Sequence, residues 1–301
     1  MTPRTVSRPD SRRRRSGFTI PELLVVILII VILAGVALAA LGAVQQEARE
    51  QRARTQIMHL NALLMTRWES YRTRPVPVRV PPGFSPQDAA VMRLNAIREL
   101  MRTEMPDRIS DVMDGTVVLP NPPALQLGYR RRATLPGVSW TAQFQGAECL
   151  YLIIGAIRVG DKTGLDHFQT SEIGDVDGDG MPEILDPWGN PIEFLRWAPA
   201  VRSPLQDGDP VESHDPFDPL QSDANAFALH PLVYSAGPDK LYDVVTDYPA
   251  PDGPLRYATT VPPNYPYYTP PSGPQIGTAM DANGDGRLSY SDNIHNHLLA
   301  E

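Results

Sequence analysis

The longest apolar run lies near the start of the chain. Residues 23–44 contain neither a charged nor a polar side chain, and about 20 such residues let a helix cross a bilayer. The pattern predicts a transmembrane helix over about residues 18–44. Because six arginines precede the run, we expect the chain's start to stay in the cytoplasm and the long C-terminal part to lie outside.

Beyond residue 44 the pattern becomes amphipathic. Apolar and aromatic side chains recur at steps of three and four residues, which is typical of a helix with one buried face. These positions are Ile57, Leu60, Leu64, Trp68 and Tyr71. The prolines from Pro75 onward end the pattern, so one helix is predicted over residues 18–74.

A second helix is predicted from Ser85 to near Pro106. Ser85 and Asp88 have the spacing of a capping box, and Pro86 suits the first turn. The expected buried face is Val91, Leu94, Ile97, Leu100 and Met101. Further on, residues 116–119 and 137–144 are predicted strands, whereas periodicity leaves the structure of residues 148–157 open.

The residues just before the apolar run form a specific pattern. A basic stretch ends in Gly17, Phe18 follows, and Glu22 stands at the cytoplasmic edge of the span. A carboxylate carried toward the bilayer centre costs about 2.5 to 3.5 kcal/mol, so Glu22 needs a partner. An ordinary signal anchor would explain the apolar run but not this combination. The pattern resembles the prepilin signal of type IV pilins and type II secretion pseudopilins.

This resemblance implies that a prepilin peptidase cuts between Gly17 and Phe18 and methylates the new amino terminus. It implies a leader of residues 1–17, a helix over residues 18–74 and an extracytoplasmic head of residues 75–301. In the family, the residue matching Glu22 pairs with the amino terminus of a neighbouring subunit. The implied partners are other pilin-like subunits, the prepilin peptidase and the inner membrane.

The resemblance also implies an α+β fold, in which the long N-terminal helix packs on a small antiparallel sheet. In this chain large loop insertions are expected in the head. Pro21 stands where the family usually has an aliphatic residue. We expect it to be tolerated, because the first helical turn needs no amide hydrogen there.

Two acidic loops have the spacing of calcium sites. In the first, oxygens recur at every second position with glycines between them, and the candidate ligands are Asp175, Asp177, Asp179, Glu183 and Asp186. The second fits a twelve-residue pattern similar to EF-hand and dockerin-like loops, with candidate ligands Asp281, Asn283, Asp285, Ser289 and Asp292. Oxygen ligands favour calcium over zinc or copper. For each loop the alternative is an acidic turn that binds nothing.

Further stretches resemble the major pseudopilin of type II secretion. Residues 186–194 are similar to the segment that opens its sheet, and residues 234–240 and 292–294 to its calcium-binding end. The resemblance makes Ser235, Asp239, Asp243 and Asp292 candidate calcium ligands. The chain departs from the family in its length and in the proline- and tyrosine-rich residues 248–274, which leaves major and minor subunits as alternatives.

Charge and composition narrow the function classes. The formal net charge is -8 despite the basic start, and an acidic head lacks the clustered Lys and Arg that bind a phosphate backbone, so no nucleic acid partner is expected. The single Cys149 is expected to be buried. His295 and His297 are expected to be exposed and to bind nothing, the alternative being a surface metal pair. No nucleophile or metalloprotease motif is found, so no enzyme is expected.

The sequence favours a structural subunit of a type II secretion pseudopilus with a calcium-stabilised head. The stretches at residues 186–194 and 235–239 support this function. A type IV pilus subunit used in adhesion or DNA uptake is the alternative, which the lack of a C-terminal cysteine pair weakens. A membrane-anchored calcium-binding adhesion module that keeps its leader is a third alternative.

Overall fold

The computed structural model describes residues 19–247, 257, 265–268, 273–281 and 293–298. The chain divides into two compact units between Ala48 and Arg49. Several predicted site residues lie outside the described residues, and their roles stay predictions. These are Gly17, Phe18, Asn283, Asp285, Ser289 and Asp292.

Helix α1 (Ile20–Ser70) is continuous over 51 residues. Pro21 is its second residue, where a missing amide hydrogen breaks no intrahelical bond, as predicted. The large apolar side chains in residues 20–44 are exposed. Within the described residues α1 is the one helix long and apolar enough to cross a membrane.

In the second unit, the C-terminal part of α1 buries its amphipathic face. The five predicted side chains are all buried, namely Ile57, Leu60, Leu64, Trp68 and, one residue after the helix ends, Tyr71. The prediction of this face is confirmed, although the helix ends four residues before the predicted boundary.

Helix α2 (Pro86–Glu104) begins with the predicted capping box between Ser85 and Asp88. Four of its five predicted core residues are buried, namely Leu94, Ile97, Leu100 and Met101. The prediction for Val91 is wrong, because the first two turns of α2 lie near the surface and leave this side chain 39% exposed. The last turns bury charged side chains, which the apolar pattern did not predict, at Arg98, Glu99, Arg102 and Glu104.

Three shorter helices follow, α3 (Ile109–Met113), α4 (Ala124–Ala133) and α5 (Gln145–Ala156). The open assignment at residues 148–157 is thus mainly helical, and Cys149 on α5 is buried as expected. Helix α5 packs against strands β4 (Glu183–Ile184) and β5 (Glu193–Leu195). Gly146 permits this approach, because an added Cβ would lie 2.8 Å from the carbonyl oxygen of Phe194.

The predicted strands at residues 116–119 and 137–144 are wrong, since both segments consist of bends, turns and irregular chain. In the first, the amides of Val117, Val118 and Leu119 donate to the carboxylate of Glu99, which takes the place of a partner strand. In the second, backbone amides are directed at the first acidic loop. Ser139 N donates a hydrogen bond to the backbone carbonyl oxygen of Asp179, and Thr141 N donates one to the Asp179 side chain.

Among the described residues, the strands form three small antiparallel sheets. Strands β1 (Arg158–Val159) and β2 (Lys162–Thr163) pair, as do β3 (Ile173–Gly174) and β4. The third sheet has the order β5-β6-β7, with β6 (Leu232–Ser235) between β5 and β7 (Ile294–His295). The long helix with small antiparallel sheets confirms the predicted α+β fold class.

The main core of the second unit joins α1, α2, α5 and the three-stranded sheet. Representative buried residues from these elements are Leu60, Ile97, Ile154, Phe194 and Val233. Because β5 packs on α5 and pairs with β6, the sheet and the loop between β3 and β4 are attached to the same core. This arrangement positions the first acidic loop beside α5.

Candidate functional site

The first acidic loop connects β3 to β4, which pair through Gly174 and Glu183. The carboxylate of Asp175 closes the loop by accepting hydrogen bonds from Gly178 N at 2.8 Å and Gly180 N at 3.1 Å. Gly180 has φ 92°, and an added Cβ would lie 2.8 Å from the carbonyl oxygen of Gly137. Only glycine fits this position, because both the backbone and the neighbouring chain exclude a side chain.

The loop brings its carboxylates into two overlapping groups. One consists of Asp175, Asp177 and Glu183, and the other of Glu148, Asp177 and Asp179. Within each group, one carboxylate oxygen per residue lies within 4.8 Å of the others. Calcium binds oxygens at about 2.3–2.6 Å, so two ligands of one ion lie at most about 5 Å apart. Either group could therefore hold a metal ion.

Glu148 is the site residue that the sequence pattern missed. It lies on α5 rather than in the loop, and its side chain is fully buried. Trp140 donates its indole N–H to one carboxylate oxygen of Glu148. The other oxygen accepts no hydrogen bond from the described residues. The sequence does contain a signal that could have identified Glu148, namely a single glutamate within an apolar run. Glutamate is almost never fully buried without a partner, so this position suggests a polar contact inside the fold.

Burial and mutual repulsion disfavour ionisation of both glutamates. Burial raises the pKa of Glu148 to about 9, with the hydrogen bond from Trp140 opposing this and the charges of Asp179 and Asp177 adding to it. Burial also raises the pKa of Glu183 to about 7 against the opposing hydrogen bond from Val176 N. A cation bound between these groups would favour their ionised forms.

Asp186 belongs to neither group. Its carboxylate instead organises the turn between β4 and β5, where Oδ1 accepts from the amides of Trp188 and Asn190 at 2.9 Å each. Ser235 Oγ, at the end of β6, donates to Asp186 Oδ2 at 2.6 Å. Asn190 Nδ2 donates to the carbonyl oxygen of Gly237 at 3.0 Å. Two predicted ligands, Asp186 and Ser235, thus contact each other and tie the turn to β6.

The remaining described candidates form no third group. Asp239 is exposed and accepts a hydrogen bond from Leu241 N at 2.9 Å, Asp243 is buried with φ 50°, and Asp281 is exposed. The described part of the chain contains no further cluster of three or more acidic, histidine or cysteine ligands. The calcium roles of these three residues stay predictions.

The expected exposure of His295 and His297 is wrong. His297 is fully buried, with Nδ1 3.1 Å from Ser203 Oγ and Nε2 3.2 Å from the carbonyl oxygen of Pro231. His295 is half-buried in β7. Burial lowers the pKa of His297 to about 4, and the adjacent His295 adds to this effect.

At the start of α1, Glu22 is hydrogen-bonded within its own first turn. Its Oε2 accepts from Thr19 N and from Thr19 Oγ1, each at 2.8 Å. This is the geometry of a capping residue that binds an amide left unpaired by the helix. Among the described residues Glu22 forms no salt bridge, so the charge itself is not neutralised there.

Comparison with known proteins gives one match. Residues 12–38 match the family model of the prokaryotic N-terminal methylation motif, which covers the Gly17–Phe18 junction, Glu22 and the start of the apolar run. No curated protein and no solved structure is detectably similar to the chain. The chain therefore carries a type IV pilin-like, prepilin-type signal at the head of a helix suited to membrane anchoring.

Proposed function

We propose that the protein is a structural subunit of a type II secretion pseudopilus, with a calcium-stabilised head and no catalytic activity. It would sit in the inner membrane with its head outside until assembly. The observation that carries the proposal is the methylation motif at residues 12–38, placed at the start of one continuous helix. Cleavage after Gly17 would release α1 for packing against other pilin-like subunits.

Glu22 supports assembly through α1. Thr19 donates two hydrogen bonds to the carboxylate of Glu22, but threonine is neutral and leaves the negative charge of Glu22 in place. In lipid such a charge needs a cation. The amino terminus that cleavage would create at Phe18 of a neighbouring subunit supplies one, so that the charge pairs only when subunits stack.

The choice of a secretion pseudopilus over a type IV pilus rests on two stretches that resemble the major pseudopilin. In the fold these stretches meet, because Asp186 accepts a hydrogen bond from Ser235 and Asn190 donates to Gly237. The resemblance therefore covers a contiguous part of the head rather than two separate turns. Ser235, Asp239, Asp243 and Asp292 remain proposed ligands of a second calcium region.

Calcium is the proposed ion because the two groups at the first loop offer only carboxylate oxygens. A head with one cysteine has no internal disulfide to stabilise it. An ion that binds only the folded head would stabilise it by mass action, most strongly where calcium is abundant. Folding and assembly would then depend on the calcium outside the cytoplasm.

The test of processing is the intact mass and N-terminal residue of the full chain extracted from membranes, with and without a co-expressed prepilin peptidase. A chain that begins at methylated Phe18 only with the peptidase supports the proposal. A chain that begins at Met1 in both cases would favour the anchored calcium-binding module instead.

Assembly is tested with Glu22→Gln, which keeps the size and polarity of the side chain but removes its charge. We expect normal cleavage and loss of filaments, whereas Thr19→Val, which removes the hydroxyl donor and keeps the charge, should still assemble. Normal filaments from Glu22→Gln would contradict the charge pairing.

In the native host, deletion of the gene should abolish protein secretion and leave surface pili intact; the reverse phenotype would favour a type IV pilus subunit.

A further inference from the structure

We propose that the first acidic loop and α5 hold two divalent cations bridged by Asp177. This inference rests on the proposed calcium binding and goes beyond it in the number of ions and in the ligand from α5. One ion would be held by Asp175, Asp177 and Glu183, and the other by Glu148, Asp177 and Asp179.

The two glutamates belong to different groups. Asp177 is the one residue that the two groups share, and neither group contains both Glu148 and Glu183. Ligands of a single calcium ion lie at most about 5 Å apart. An ion held by either group alone would therefore have one glutamate among its ligands and not the other.

Each group also contains a buried oxygen that lacks a hydrogen bond. Glu148 and Glu183 are both fully buried, and Oε1 of each accepts no hydrogen bond from the described residues. Buried polar atoms are almost always paired, so such atoms require an explanation. One ion in each group would give both carboxylates a further partner, whereas a single ion would leave one carboxylate without it.

The charge of the cluster favours the same stoichiometry. Its five carboxylates carry five negative charges when ionised, and no Lys, Arg or His forms a salt bridge to them among the described residues. With one divalent cation the cluster would keep a net charge of three negative charges, and with two divalent cations it would keep one. Carboxylates that bridge two ions about 3.5–4 Å apart are an established arrangement in proteins.

Hydrogen bonds hold the bridging residue in position. Thr141 Oγ1 donates to Asp177 Oδ2 at 2.9 Å, and Asp179 N lies 3.3 Å from Asp177 Oδ1. Thr141 N donates to Asp179 Oδ2 at 2.6 Å. Each of these carboxylate oxygens keeps a further lone pair for an ion. The second group is thereby attached both to the segment that precedes α5 and to α5 itself.

The test counts calcium ions on the full chain in detergent by equilibrium dialysis, at a calcium concentration that just saturates the wild type. The number of ions bound by each variant is compared with the number bound by the wild type. Any ions bound at residues 281–292 are present in both and do not affect the difference. Glu148→Gln and Glu183→Gln should each lose one ion, and Asp177→Ala should lose two. The control Asp161→Asn changes an exposed carboxylate outside both groups and should lose none.

A single-ion site would give a different result, in which one of the two glutamate variants loses no ion. That result would overturn the two-ion inference while keeping the calcium-stabilised head. No bound calcium in the wild type would refute both. Neither result bears on N-terminal processing, which is measured separately.

A second measurement does not depend on variants with altered ligands. Trp140 donates to Glu148, so terbium bound in that group should emit when tryptophan is excited. Trp140→Phe should abolish most of this emission and retain terbium binding. Equal emission from the wild type and Trp140→Phe would show that no ion sits beside Glu148 and would overturn the inference.

Discussion

Arg196 is the most informative residue for testing how the head is held together. Its guanidinium is fully buried, lies 2.7 Å from Asp111 Oδ2 and 3.5 Å from Asp107 Oδ1, and donates to the carbonyl oxygen of Met105 at 2.9 Å. It also stacks over the ring of Trp197, with 4.4 Å to the ring centroid. The residue therefore joins the end of β5 to the segment between α2 and α3.

The expected cost of Arg196→Met follows from what the substitution leaves behind. Although burial alone would raise the pKa of Asp111, the charges of Arg196, Arg108 and Arg102 hold it well below its usual range. Removing one partner of a buried ion pair costs about 3–5 kcal/mol, because the other charge stays buried. For a domain of this size we expect a fall in Tm of roughly 6–20 °C.

The assay is thermal unfolding of the full chain, followed by circular dichroism in saturating calcium. The matched control is Arg131→Met, which removes an exposed arginine on α4 and should change stability by less than about 0.5 kcal/mol. Arg196→Met combined with Asp111→Asn should recover part of the loss, since fewer charges stay buried. Equal Tm values for Arg196→Met and Arg131→Met would refute the reasoning.

Three further substitutions test other parts of the head. Glu99→Gln should cost about 2 kcal/mol in chemical denaturation, because an amide cannot accept all the N–H groups that converge on the carboxylate. Ser235→Ala should cost about 1 kcal/mol by removing the bond to Asp186, and an unchanged midpoint would contradict that role. The pKa of His297 is lowered to about 4 in the fold, so the unfolded chain binds more protons between about pH 6.5 and 4. Stability should therefore fall by up to about 3 kcal/mol as pH decreases through this window, and His297→Gln should show a flatter Tm profile in saturating calcium.

The helices were predictable because their signals are local. Two local patterns predict α1 without knowledge of the rest of the chain. They are the apolar run of residues 23–44 and the spacing of three and four residues between apolar side chains from Ile57 to Tyr71. The cap of α2 is likewise contained in the four residues that begin at Ser85. The acidic loop was predictable for the same reason, since its oxygens and glycines recur within nine residues.

The failures occurred where distant residues decide the local structure. The apolar residues 117–119 have a strand-like composition, yet their amides bind the side chain of Glu99 on α2. Periodicity counts apolar residues, so it could not predict that α2 buries charged side chains in ion pairs. Glu148 was missed because it is 27 positions from Asp175 in sequence and meets the loop only in the folded head.

Helix α5 connects the proposed ion site to the sheet. It contributes Glu148 to the acidic cluster, while Gly146 in its first turn lets β5 approach closely. Strand β5 pairs with β6, and Ser235 at the end of β6 binds the turn that follows β4. Ions at the loop would hold the buried charge of Glu148 and thus the position of α5. The loop, helix and sheet would then lose stability together when calcium is removed, and this coupling would let calcium control the rigidity of a head that has one cysteine.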